Sequence, residues 1–159
     1  MKMARLLILI VGLIAVAAAF AATEEKPWFD MQNCSFCKCL MKDPILLKNM
    51  TWEHYDIANG LLVLTTVKPE CKDSYLKAMA DMEAVGQEWA KGNPDIKLCG
   101  QCEFYGKLMT SGAKFEYLST SAGDIVLITS DKPETVSMIK EYGKRNREEL
   151  AKQVEPKKE

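Results

Sequence analysis

The chain carries one unit twice, and each copy is headed by a C-x-x-C pair. Setting Cys34 on Cys99 places Cys34-Ser35-Phe36-Cys37 against Cys99-Gly100-Gln101-Cys102. Further along, Tyr55 meets Tyr117, residues 60–66 meet 123–129, and Lys68-Pro69-Glu70 meets Lys132-Pro133-Glu134, with offsets that stay between 62 and 65 residues. Matches in this order at near-constant spacing indicate a duplication, with repeats over residues 31–91 and 96–152. The constraint is severe, because each copy must bury its apolar face against the other.

Both copies read alike. A short helix is expected after each C-x-x-C, over 36–42 and 103–110, with Pro44 ending or kinking the first. Strands follow over 51–58 and 113–120. Asn59-Gly60 has the chemistry of a two-residue hairpin turn with positive φ, and 121–123 is its looser counterpart. The return strands, 61–67 and 124–130, are apolar at nearly every position, which predicts a sheet covered on both faces. Pro69 and Pro133 stand where helix starts accept proline, and Asp131 with Glu134 resembles a capping box. Tyr75, Met79, Met82, Gly86 and Trp89 recur at helical spacing, as do Val136, Ile139, Tyr142 or Gly143, and Leu150, so a long helix closes each unit. The expected fold class is α+β. Tandem pseudo-twofold units of short helix, β-hairpin and helix would form one four-stranded antiparallel sheet with helices packed on it. The order β-β-α-β-β-α is a circular permutation of the ferredoxin-like sandwich.

The first residues predict export. Lys2 and Arg5 precede an uncharged apolar run of 15 residues, 6–20, and Ala19-Phe20-Ala21 offers the small-x-small pattern of a cleavage site. The run falls short of the roughly 20 residues a membrane span needs. A cleaved signal peptide over 1–21 is therefore expected, followed by a single domain over 22–152 and a disordered, charged tail over 153–159. The location would be periplasmic or secreted, with the mature form not embedded in the membrane. Without Lys2 and Arg5, 19 of the 21 basic residues remain against 22 acidic ones, and no basic patch supports nucleic-acid binding. An apolar hairpin edge would allow a homodimer.

Six cysteines carry whatever chemistry there is: Cys34, Cys37, Cys39, Cys71, Cys99 and Cys102. The duplication divides them. Cys34, Cys37, Cys99 and Cys102 are repeated, whereas Cys39 and Cys71 align with Phe104 and Thr135, so a Cys39–Cys71 disulfide is the economical expectation. For the repeated four, three readings compete. Two C-x-x-C knuckles that converge make a four-thiolate metal site, zinc first and copper(I) second; the 61 residues between the pairs then require the fold to bring them together. A C-x-x-C opening a helix can serve instead as a thiol–disulfide oxidoreductase, with Cys34 or Cys99 attacking. In an oxidising compartment the four can also be structural disulfides of a binding module without chemistry.

The stretch Met31-Gln32-Asn33-Cys34-Ser35-Phe36-Cys37 is similar to the M-x-C-x-x-C loop of ferredoxin-like heavy-metal-associated domains, with one residue more. That resemblance implies copper(I), for which Met41 and Met109 just after the two pairs are further soft ligands. His54 is the sole histidine and is expected on a strand surface. With one histidine and no Gly-x-Ser-x-Gly element, a Ser-His-Asp hydrolase has no support; no phosphate-cradling glycine loop appears either. A non-enzymatic metal-binding protein is the leading reading.

Overall fold

The computed structural model describes residues 26–154. The signal peptide expected over 1–21 and all but the start of the expected tail lie outside these residues. Among the described residues the chain is α+β: a four-stranded antiparallel sheet, ordered β1-β2-β4-β3, with four α-helices. The elements in chain order are α1 (Cys37–Leu40), a 3-10 turn (Leu46–Asn49), β1 (Met50–Ile57), β2 (Gly60–Val67), a 3-10 turn (Pro69–Cys71), α2 (Lys72–Ala90), α3 (Gly100–Thr110), β3 (Lys114–Thr120), β4 (Gly123–Thr129) and α4 (Pro133–Val154). No described helix is long and apolar enough to cross a membrane.

The central pairing of β2 with β4 is symmetric about Val63 and Val126, which face each other. Gly60 lies opposite Thr129 at one end, and Gly123 opposite Thr66 at the other. Both hairpins turn through the two residues before the glycine: Ile57 pairs with Gly60 across Ala58 and Asn59, and Thr120 with Gly123 across Ser121 and Ala122. This corrects the turn expected at Asn59-Gly60. No described non-glycine residue has positive φ, so Asn59 is not in a left-handed turn. Gly60 is the first residue of β2, and a Cβ there would lie 1.9 Å from the Ile128 carbonyl oxygen. Glycine is needed for close approach between strands rather than for turn geometry.

The sheet buries one face. Leu61, Val63, Thr65 and Val67 of β2 alternate with outward Leu62 and Leu64, as a period of two requires. Leu61, Ile128, Ile139, Tyr142 and Leu108 form one core under α3 and α4. Leu40, Leu46, Val67, Tyr75 and Ala78 form another under α1 and α2. On the opposite face Leu62, Leu64, Ile125 and Leu127 remain half-buried, and Tyr55 and Leu118 are exposed. The expectation of a sheet covered on both faces is therefore corrected: among the described residues the helices share one side. Among the described residues, the apolar outward positions lie beside one another on neighbouring strands.

Smaller differences have local causes. Proline at 69 opens a single 3-10 turn before α2 begins at Lys72. The carboxylate of Asp131 pairs with Lys114 at 2.6 Å, and the Lys132 N–H donates to Ser130 Oγ at 3.2 Å, so the expected capping box at Asp131 does not form. Helix α4 continues to Val154, into the segment expected to be tail.

His54 corrects another expectation. It points inward from β1, its ring edge-on to Tyr142 at 6.5 Å between centroids. Burial, with the Arg147 charge adding to it, holds its pKa down at about 4. The neutral ring is thus favoured in the folded chain, while the unfolded chain takes up a proton near pH 6.5. The His54 contribution should be complete above about pH 6.5 and be lost, by about 2–3 kcal/mol, as the pH drops to about 4. Urea unfolding across this range should show the slope, and His54→Gln should remove it; an unchanged slope in the variant would assign the effect elsewhere.

Candidate metal centre

Two loops meet to build the site. Asp30 shapes the first: its Oδ1 accepts the N–H groups of Gln32 at 3.1 Å and Asn33 at 2.8 Å. The Asn33 N–H bond foremost holds the Asp30 carboxyl below its usual range. Cys34 closes this turn, its N–H donating to the Asp30 carbonyl at 3.1 Å. The second loop runs into α3, whose N-cap is Cys99. A two-way clip joins the loops. The Ser35 N–H donates to the Lys97 carbonyl at 2.8 Å, and the Lys97 N–H donates to Ser35 Oγ at 3.0 Å. The first N–H groups of α3 find partners in the N-terminal arm, Gly100 donating to the Pro27 carbonyl at 3.0 Å and Gln101 to the Trp28 carbonyl at 2.9 Å.

The clip brings the four repeated cysteines together. Cys34 Sγ and Cys102 Sγ lie 3.5 Å apart, Cys37 Sγ and Cys99 Sγ 3.7 Å, and all four sulfurs are within 4.8 Å of one another. Each short contact joins one cysteine of the first pair to one of the second. A tetrahedral zinc tetrathiolate with bonds of about 2.3 Å has sulfur–sulfur edges of about 3.8 Å, close to the two short contacts here. Cys34 and Cys99 are each 1% exposed and Cys37 6%. Met31 and Phe36 pack against them.

Four thiols this close divide their protons unequally. Hydrogen bonding to Cys102 foremost, then to Cys37 and Cys99, holds Cys34 far below the ordinary thiol range. The bond to Cys102 likewise contributes most to bringing Cys99 down to about 6. Cys102 moves up, chiefly through its bond to Cys34. The cluster thus combines two cysteines that give up a proton readily, Cys34 and Cys99, with two that hold theirs, Cys37 and Cys102. A divalent cation bound by the four sulfurs would displace the remaining protons.

No family model, curated protein or solved structure matches this chain. The site must therefore be read from its own chemistry.

That geometry bears on each of the three readings. An attacking thiol must be reached by its substrate, and both Cys34 and Cys99 are sealed from solvent. Cys34 faces Cys102 and Cys37 faces Cys99 as free thiols, so the two couples belong to one cluster rather than to separate sites. All six cysteines are free thiols, so the expected Cys39–Cys71 disulfide is corrected. Cys39 Sγ turns back along its own helix to the Ser35 carbonyl at 3.6 Å, while Cys71 packs into the core with Leu46 and Tyr75. Met41 and Met109 are 44% and 48% exposed, and neither packs against the cluster as Met31 does. His54 is not part of it.

Sequence reasoning found the four sulfurs and missed what holds them. Ser35 and Lys97 are ordinary polar residues whose only distinction is to flank cysteines, and Asp30 shows no pattern in one dimension. Gln101 stands in the sequence as a mere spacer between cysteines. In the fold its Oε1 accepts from Cys102 Sγ at 3.2 Å, and its Nε2 donates to Tyr142 Oη. A polar residue inside a C-x-x-C was the one available hint.

Proposed function

We propose that this is an exported, non-enzymatic metal-binding protein in which Cys34, Cys37, Cys99 and Cys102 hold one zinc ion, with copper(I) the second choice. The observation that carries the reading is the convergence of four sulfurs, all within 4.8 Å of one another, from two loops far apart in the chain. Zinc comes first because a closed set of four thiolates is its structural site. Copper(I) is favoured by the soft donors and by Met31 beside them. The ion would tie the first repeat to the second, since each loop supplies half the ligands.

Duplication is part of the proposal. It is supported by the symmetric β2–β4 register, by the equivalent hairpin turns, and by a strand order compatible with the permuted ferredoxin-like arrangement. Under it, a metal site astride the pseudo-twofold axis arises from doubling one C-x-x-C. Export rests on residues 1–21 and makes the periplasm or the extracellular space the expected location.

Metal analysis of the protein isolated from its native compartment, combined with a thiol count, tests the reading. One zinc per chain is expected, with four thiols becoming reactive only after chelation. Metal-free protein whose four repeated cysteines are oxidised would refute it and favour the disulfide or oxidoreductase alternatives.

A further inference from the structure

A run of hydrogen bonds leads from the sulfur cluster into the core. Gln101 Oε1 accepts from Cys102 Sγ at 3.2 Å, and Gln101 Nε2 donates to Tyr142 Oη. The Asn146 side chain bonds the same hydroxyl. Its Oδ1 is taken by Trp28 Nε1 at 2.8 Å, so Asn146 meets Tyr142 with its N–H end. Tyr142 and Asn146 are 3% and 1% exposed, so bulk water does not complete the network.

The direction of these bonds depends on Cys102. As a thiol it gives its proton to Gln101 Oε1. Tyr142 Oη then faces two amide N–H groups, and among the described residues nothing accepts its own O–H. A buried hydroxyl proton without an acceptor is costly. Turning the Gln101 amide over exchanges its oxygen and nitrogen at unchanged heavy-atom positions. Oε1 then accepts the Tyr142 O–H, Asn146 still donates to Tyr142 Oη, and Gln101 Nε2 faces Cys102 Sγ. This second arrangement satisfies every member, provided that Cys102 is a thiolate, which has no proton to give and accepts N–H groups.

We infer that Gln101 is a positioning residue for the metal centre: when the cluster coordinates a cation, the Gln101 amide turns over, donates Nε2–H to the Cys102 thiolate and accepts the Tyr142 O–H at Oε1. The Cys102 proton leaves to solvent as the sulfur's electron pair passes to the cation. The inference rests on the metal-binding reading and adds the group that supports one of its four ligands. Four thiolates outweigh one divalent cation, so the loaded cluster keeps a negative charge that an N–H donor offsets. Trp28, Asn146 and Tyr142 hold the amide in place from behind, which ties the loaded state of the centre to the packing of α3 on α4.

Nuclear magnetic resonance of the purified full chain loaded with ¹¹³Cd, a soft divalent stand-in for zinc, tests it. One Gln101 side-chain N–H should show scalar coupling to ¹¹³Cd through the Cys102 sulfur, alongside the couplings to the Cβ protons of the four cysteines. Zinc titrations of two variants give a second readout. Gln101→Glu keeps the shape and both acceptor positions, so its metal-free form should retain the parent's Tm. A carboxylate has no N–H for a thiolate and repels it, so zinc should bind about a hundredfold more weakly, the upper end for groups behind a metal ligand. Gln101→Leu, which loses the N–H without adding charge, should weaken zinc about tenfold. Coupling of ¹¹³Cd to the four cysteines but not to Gln101, or a Gln101→Glu protein that binds zinc as tightly as the parent, would overturn the inference and leave the four-sulfur site standing. Cadmium coupled to none of the four cysteines would overturn both.

Discussion

Replacing Cys34 by serine is expected to abolish zinc binding and, with it, most of the thermal stability the ion confers. Cys34 is buried at the meeting of the two loops, 3.5 Å from Cys102. A serine hydroxyl is a poor zinc ligand at neutral pH, so three thiolates would remain around an incomplete site. In the parent protein, zinc held by the four sulfurs at a thousandfold excess over its dissociation constant would add about 4 kcal/mol of stability. For a domain of this size that corresponds to a rise in Tm of about 10–20 °C. Chelation should reverse the rise, and Cys34→Ser should eliminate it; Cys99→Ser should behave in the same way. Cys39→Ala and Cys71→Ala provide the contrast. Both lose some core packing and should lower Tm in either state, but the zinc stoichiometry and the zinc-dependent rise should persist. A Cys34→Ser protein that still binds one zinc with an undiminished shift would show that the four sulfurs are not the site.

The second large effect is expected at the strand glycines. A Cβ at Gly60 would sit 1.9 Å from the Ile128 carbonyl oxygen, and one at Gly123 would sit 2.1 Å from that of Thr65. Both neighbours are backbone of a central strand, which cannot swing aside as a flexible side chain can. Alanine at either position should push β2 and β4 apart and cost about 3 kcal/mol or more, at the upper end of overpacking effects. Gly123 also has φ +141°, so its variant combines steric and conformational cost and should be the worse of the two. Gly92 separates these contributions. It has φ +79°, but a Cβ there would meet nothing within 4 Å, so Gly92→Ala should cost only about 1 kcal/mol, from conformation alone. Urea unfolding of the three variants gives the ranking. If the Gly60 and Gly92 variants are equally mild, the close approach of the strands does not govern these positions.

Much of the local structure was legible because local rules determine it. Runs of branched apolar residues in 61–67 and 124–130 marked the return strands, and the stripes from Tyr75 and Val136 marked the long helices. Each strand was placed to within one residue. The errors came where a residue type serves two purposes. Asn59-Gly60 carries the usual chemistry of a left-handed turn, yet the glycine answers to β4, its neighbour in the sheet but distant in the chain. Apolar positions on both sides of β2 suggested two covering layers, but among the described residues the outer ones lie beside one another on neighbouring strands. His54 lies beside Glu53, as a surface residue would, and is turned inward by the alternation of β1.

The same division holds for the site. By itself the sequence determined which cysteines belong together, since the matching spacing distinguishes Cys34, Cys37, Cys99 and Cys102 from Cys39 and Cys71. It determined too that each knuckle presents two sulfurs, because that follows from a separation of two residues. Only the tertiary structure decided that the two knuckles meet. Their approach depends on the Ser35–Lys97 clip and on the arm carrying Pro27 and Trp28, contacts between residues far apart in the chain that leave no periodic trace. The bonds from Cys102 through Gln101 to Tyr142 are likewise a product of how α3 packs against α4. Spacing encodes what a turn or a strand will do, whereas a site assembled from two loops exists only once packing has set the distance between them.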